Sequence, residues 1–216
     1  MSRWPGPSIG AGWLAGAALL AALGGCTSSV LPRPPPPPDR FTLDAEGGGL
    51  QTPPGAGASA RAGTTLVVNL PRAAAGYDTA RMVYVRRPLQ IEYFANNEWV
   101  DPPPNMLAPM MVRALERTGA FHAVLGAQTS AAGQLRLESE LGRLHQDFSA
   151  APSQVRLTLR ATLVDTAPRR VIASREFDSR VAAPTDDPYG GVTAAQQAAS
   201  QVLAALAAFC ADAALP

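Results

Sequence analysis

Cysteine is almost absent from this chain: Cys26 and Cys210 are the only two in 216 residues. They are not read as a pair, because Cys26 belongs to an N-terminal motif described below, so the fold must be held by its core rather than by a disulfide. Histidine is equally scarce, and neither His122 nor His145 has neighbours at metal-ligand spacing. A Gly-x-Ser-x-Gly elbow and a phosphate-binding glycine loop are both missing. The Gly47-Gly48-Gly49 triplet lies in a Pro/Ala-rich stretch without strand-to-helix context. An excess of one charge is missing too. The 18 basic and 17 acidic residues give a formal charge of +1, and no basic patch is dense enough to argue for nucleic acid. An enzyme needs a convergent constellation of reactive groups. None is visible, so the chain is read as non-catalytic, without metal or cofactor. Asp186-Asp187 reads as a solvated turn complementing a helix dipole rather than as a cation site.

What is present begins at the N-terminus. Arg3 supplies a positive leader, and Ala11 to Leu23 is an apolar run too short for a transmembrane helix, which needs about 20 residues. Small residues close it, as in a secretory signal. Leu23-Gly24-Gly25-Cys26 then has the form of a bacterial lipobox. In such a box the cysteine thiol takes a diacylglyceryl group, the preceding peptide is removed, and the new α-amino group is acylated, palmitate being the expected chain. Several acyl chains, at about 0.8 kcal/mol per buried CH₂, hold a protein firmly on a bilayer. Residues 1–25 are thus read as a signal peptide and Cys26 as the lipid-attachment site. Thr27 leans towards the outer membrane, since Asp there favours inner-membrane retention in enteric bacteria.

Residues 26–40 contain five consecutive prolines, Pro34 to Pro38. Such a run has fixed φ and no backbone donors, and forms a polyproline II rod. At about 3.1 Å per residue it reaches up to roughly 40 Å. Residues 41–216 are then left for one domain of ordinary size, with a flexible Gly/Pro/Ala loop at 47–63.

Within that domain, Phe41-Thr42-Leu43 alternates as a short strand, and Thr64 to Leu70 reads as a buried strand stopped by Pro71. Met82–Arg86 and Leu89–Phe94 read as strands around Arg87-Pro88, with Ala95-Asn96-Asn97 as a turn. Asp101 before three prolines caps a helix. Its apolar face carries Met106, Leu107, Met110, Met111, Ala114 and Leu115, and Gly119 ends it. Packing of this Met-rich face on a sheet is favoured over a lipid-contacting role. A short strand at Phe121–Leu125 is followed by a long one from Leu135, whose phase shift predicts a bulge near Gly142. Val155 to Leu163 is the cleanest half-buried strand, and Arg170 to Val181 returns as its antiparallel partner. A second helix starts at about Val192 with an Ala-rich apolar stripe, on which Cys210 is a buried small hydrophobe. These elements predict an α+β fold: a single two-layer domain, its antiparallel or mixed sheet packed by two amphipathic helices.

Several of these pieces in order resemble a known family. They are the lipobox, the Phe41-x-Leu43 strand, Val67-Val68-Asn69-Leu70-Pro71, Tyr77-Asp78 with Met82-Val83-Tyr84, and Tyr93-Phe94-Ala95-Asn96-Asn97-Glu98-Trp99. Thr118-Gly119-Ala120-Phe121 and Arg175-x-Phe177 before an Ala-rich helix complete the series. The series resembles the ABC-type transport auxiliary lipoproteins, which include paraquat-inducible protein C, over about residues 41–212. The long proline tether and the inserted Gly/Ala loop depart from the family pattern. The resemblance implies a fold like the N-terminal domain of TolB and a periplasm-facing subunit, lipid-anchored in the cell envelope. Its implied partners are an ABC permease, its ATPase and an MCE-domain protein. Such systems move phospholipid or other hydrophobic molecules between membranes, and the implied role is to dock the periplasmic conduit at the outer membrane. Tyr93 and Trp99 are the candidate partner-interface residues, since a large aromatic can anchor a partner or cap a core. Homo-oligomerisation stays open. The alternative is a structural or assembly lipoprotein that scaffolds another envelope complex.

Overall fold

The computed structural model describes residues 36–44, 64–129 and 131–214. The expected signal peptide (1–25), Cys26, most of the expected tether and the expected loop at 47–63 lie outside the described residues. Chain order is β1 (Asp39–Phe41), β2 (Thr65–Val68), β3 (Arg72–Ala73), β4 (Arg81–Val85), β5 (Glu92–Trp99), α1 (Pro103–Glu116), β6 (Ala123–Gly126), β7 (Leu135–Asp147), β8 (Gln154–Asp165), β9 (Arg170–Ala182) and α2 (Pro188–Ala213).

Strand β7 is the spine. Its 13 residues span roughly 44 Å, long enough to serve several partners. On one edge it pairs antiparallel with β8 along almost its whole length, and β8 pairs with β9 in turn. On the other edge three short strands follow one another, all parallel to it. These are β2 at Leu135–Leu137, β3 at Glu140–Leu141 and β4 at His145–Asp147. Pro71 separates β2 from β3 because it has no N–H to give to a ladder. The β-bulge predicted near Gly142 is present as a register shift between Leu141 and Arg143. Beyond these, β6 pairs with β2, β5 with β4, and β1 with β5. The sheet is therefore mixed and carries both helices on one face.

Alternation explains why the two faces differ. Leu135, Leu137, Leu141, Leu144, Val155, Leu157, Leu159 and Leu163 are buried beneath the helices. On the other face Arg156 and Thr158 bond to Asp178 at 2.8 and 2.7 Å, and Arg160 bonds to Glu176 at 2.9 Å. The Arg160–Glu176 pair faces solvent and contributes little stability, whereas Thr158 is buried under its bond to Asp178. The buried leucines, at about 1.5–3 kcal/mol each, hold the layers together.

Helix α2 begins four residues before the predicted start. Asp187 caps it by accepting from the Gly190 N–H at 2.7 Å, and Pro188 occupies the first turn. The Gly190-Gly191 pair disguises this start as loop. A Cβ on Gly191 would lie 2.2 Å from Gln146 Oε1, and one on Gly190 would lie 2.1 Å from the Thr185 carbonyl. The helix can approach β7 at Gln146, and its own preceding loop at Thr185, this closely only without those side chains. By length and composition α2 could cross a membrane, but half of that window is buried against the domain. Its stripe of Ala194, Ala195, Ala198, Ala199, Val202, Leu203, Leu206 and Cys210 belongs to the core.

Three local expectations are corrected. Ala95-Asn96-Asn97 is not a turn but the middle of β5, where Asn97, Glu98 and Trp99 pair with Asp39, Arg40 and Phe41. The turn lies at Arg87–Gln90 instead, and Leu89 is part of it rather than of a strand. Asp101 does not cap α1 either. Pro102 holds that position without a side-chain cap, and Asp101 accepts from Asn105 Nδ2 at 2.8 Å.

Candidate functional site

Helix α1 carries two stripes. The Met106, Leu107, Met110, Met111, Ala114 and Leu115 stripe is buried, as predicted. A second stripe, Asn105, Ala108, Pro109, Val112, Arg113 and Glu116, follows the spacing of one helix face and walls an open groove of about 770 Å³. The opposing wall comes from the C-terminal ends of β2 and β6, through Val68, Leu70 and the segment Gly126–Thr129. Leu70 is 50% exposed there although it follows a buried strand.

The lining mixes apolar side chains (Val68, Leu70, Ala108, Pro109, Val112) with polar ones (Asp101, Asn105, Arg113, Glu116). Its volume falls in the ordinary range of ligand pockets, roughly 300–1,000 Å³. Pro109 lies inside α1. Lacking an N–H, it leaves the Asn105 carbonyl without the helical donor it would otherwise have. The groove wall thus offers apolar surface beside a backbone acceptor. Asp101, Arg113 and Glu116 place charged groups of both signs along the apolar lining.

The residues singled out from the sequence do not converge. Trp99 is 4% exposed and caps the core, so it offers no surface to a partner, which corrects its reading as an interface residue. Tyr93 is half-buried, with the Arg81 guanidinium 3.7 Å above its ring. Of the two aromatics it alone presents surface. His122 is exposed, whereas His145 is partly buried and bonded to Tyr77. Asp186 and Asp187 are both used structurally. Asp186 accepts from the Ser153 N–H at 2.7 Å, which holds its carboxyl below the usual range, and Asp187 caps α2. Cys210 is fully buried, and burial pushes its thiol up to about 12. Among the described residues no group of three or more His, Cys, Asp or Glu is arranged to hold a metal. The groove itself escaped sequence reasoning. The available signal was Pro109 in mid-helix, on a stripe too apolar at Ala108 and Val112 for a purely solvated face.

The class is therefore a two-layer α+β domain with a binding groove beside its first helix. The chain belongs to the ABC-type transport auxiliary lipoprotein family, whose model matches residues 49–207. Membership makes it an envelope lipoprotein and an auxiliary component of an ABC-type transport system. The same fold occurs in a Xanthomonas campestris protein of known crystal structure. The identity is 24%, the match covers 82% of this chain and 93% of that one, and the TM-score is 0.67. A second solved structure, of an uncharacterised protein, matches with 15% identity, 81% and 99% coverage and a TM-score of 0.63. At these identities the likeness concerns the fold alone. No curated protein matches the sequence.

Proposed function

We propose that this protein is the non-catalytic, periplasm-facing lipoprotein subunit of an MCE/ABC-type intermembrane lipid transport system. Lipid-anchored through Cys26 at the outer membrane, it docks the periplasmic conduit there. The observation that carries the reading is the family match over residues 49–207. Under this proposal an apolar segment of the MCE-domain partner lies in the groove beside α1, along Val112 and Leu70, with Asp101, Arg113 and Glu116 fixing its register. In this reading residues 1–25 are the signal peptide, 26–40 the tether and 41–216 the auxiliary domain.

The test is a crosslinked capture from membranes. Every one of the 18 basic residues is arginine and none is lysine, so amine-reactive reagents find no side chain on this protein. A photo-crosslinking amino acid at Val112 avoids that obstacle. Recovery of an MCE-domain protein by mass spectrometry supports the transport reading. Recovery only of other envelope proteins, with Cys26 acylated, favours the scaffold alternative and overturns the transport role.

A further inference from the structure

The β4–β5 hairpin projects past the end of β7 and carries two of the six large hydrophobics that the described residues expose, Leu89 and Ile91. At its tip the Gln90 N–H donates to the Arg87 carbonyl at 3.2 Å, Pro88 is the second turn residue, and Leu89 is the third with φ of +69°. This is the pattern of a type II turn, whose third position calls for glycine or asparagine. Leucine is strained there, and its side chain is fully exposed. Among the described residues no hydrogen bond or ring contact involves the Leu89 side chain.

The tip stands on a firm base. Tyr84, Phe94 and Phe148 pack as a ring cluster with centroids 4.6 to 6.4 Å apart, and the Phe148 N–H donates to the Val85 carbonyl at 2.8 Å. Arg86 pairs with Glu92, which also accepts from the Tyr84 hydroxyl at 3.1 Å. With Arg86 neutralised, Arg87 gives the tip a net positive charge beside its aliphatic side chains. Apolar residues flanked by arginine suit the boundary between phosphate headgroups and acyl chains.

Topology supplies the orientation. Because β1 runs parallel to β5, with Asp39 opposite Asn97, the chain arrives at Asp39 from the end of β5 that carries the tip. Asn97 back to Glu92 is roughly 17 Å of strand. The 13 residue steps from Cys26 to Asp39 have a contour of at most about 45 Å, a reach more than twice that strand length, so the tip can meet the bilayer that holds Cys26.

We propose that the Arg86–Ile91 tip dips into an anionic phospholipid bilayer, Leu89 and Ile91 entering the acyl boundary while Arg87 meets lipid phosphates. The proposal rests on the reading of Cys26 as the anchor. So small an apolar patch binds weakly on its own, and tethering makes it effective by raising its local concentration at the surface.

The experiment uses the full-length acylated protein reconstituted into phosphatidylcholine vesicles with or without phosphatidylglycerol. An environment-sensitive label at Gln90→Cys is read against nitroxide-bearing lipids, and Ala167→Cys, in the β8–β9 turn at the other end of the sheet, is the control. Buried Cys210 does not compete for the label. The expected result is quenching at position 90 but not at 167, stronger with phosphatidylglycerol. Adding Arg87→Ala lowers the inserted-to-free ratio about fivefold, and adding Leu89→Gly abolishes the quenching while thermal stability holds or rises, because glycine accepts the positive φ. Flotation with the vesicles reports the anchor separately. A chain that floats without quenching at position 90 overturns the tip proposal and leaves the anchor standing. A chain that does not float overturns the anchor reading and the proposal with it. Protection of position 90 by added partner protein, and never by lipid, overturns the proposal in favour of a protein contact.

Discussion

The Tyr77 hydroxyl lies 3.0 Å from Nδ1 of His145, joining the loop between β3 and β4 to the spine strand β7 on the sheet face opposite the helices. Burial raises the Tyr77 pKa, so the phenol stays protonated and shares a hydrogen bond with the imidazole, whose tautomer sets which group donates. His145 is pushed below its ordinary value, chiefly by burial, with Arg143, Arg156 and Arg180 adding to the shift and Asp147 opposing it. Tyr77, itself buried, covers the imidazole from the loop.

The sign of the pH dependence follows. The folded pKa of His145 lies below the unfolded one, so acidification protonates the unfolded chain first. Stability from this group is complete above about pH 6.5 and is lost as pH falls through the lowered folded value. Thermal melting between pH 8 and pH 5 should show a fall in Tm that His145→Gln flattens. Tyr77→Phe should cost about 1 kcal/mol at neutral pH. The carboxyls of Asp178 and Asp186 are also lowered, by hydrogen bonds from Arg156 and from Ser153. Their contribution is present above about pH 4 and is lost below it.

Helix α2 should be sensitive at its first turn. Gly190→Ala drives a methyl into the Thr185 carbonyl, which is backbone and cannot swing aside, whereas Gly191→Ala meets the end of the Gln146 side chain. Chemical denaturation should find both destabilised, by about 1–3 kcal/mol, with Gly190→Ala the worse.

Removing the cap of the same helix is a separate loss. Asp187→Ala leaves the Gly190 N–H without its acceptor and should cost about 1 kcal/mol. Asp187→Asn keeps an acceptor and should recover most of it in the same denaturation series.

Groove substitutions should separate binding from folding. Val112 is part-exposed on the groove wall and also packs against the core, so Val112→Glu should abolish capture of the partner in a pull-down, with thermal melting of the same variant checking that the fold is retained. An unchanged yield would remove the groove from the docking surface.

Cys210 should be silent. Its thiol, at about 12 and fully buried, should not react with disulfide reagents at neutral pH until the protein unfolds. Labelling that follows the denaturation curve confirms this, and reaction in the native state would show that α2 opens locally.

The long elements were legible because their information is local. Val155 to Leu163 alternates with Arg156, Thr158, Arg160 and Thr162, and the structure buries the first set while, of the second, Arg160 is exposed, Arg156 and Thr162 are half-buried and Thr158 is buried. The Met stripe of α1 and the Ala stripe of α2 repeat every three or four residues, and both are buried. Asn96-Asn97 misled because a strong turn signal was overridden from a distance. The backbone there pairs with β1, and those ladder bonds outweigh the local preference of asparagine. Leu89 misled in the opposite direction, being a residue of strand propensity held in a turn.

By itself the sequence determined the lipobox motif at Cys26, the two amphipathic helices and the long β8–β9 hairpin, because each is a matter of adjacent residues and their period. Only the tertiary structure decided that β2, β3 and β4 line up in parallel along one edge of β7, since parallel pairing joins segments that share no turn. It alone decided that Trp99 is core and that Tyr77 covers His145. It also decided that residues 68–70, 105–116 and 126–129 face one another across a groove. No period in the chain links those three stretches, and they meet only because the sheet brings the ends of β2 and β6 beside α1.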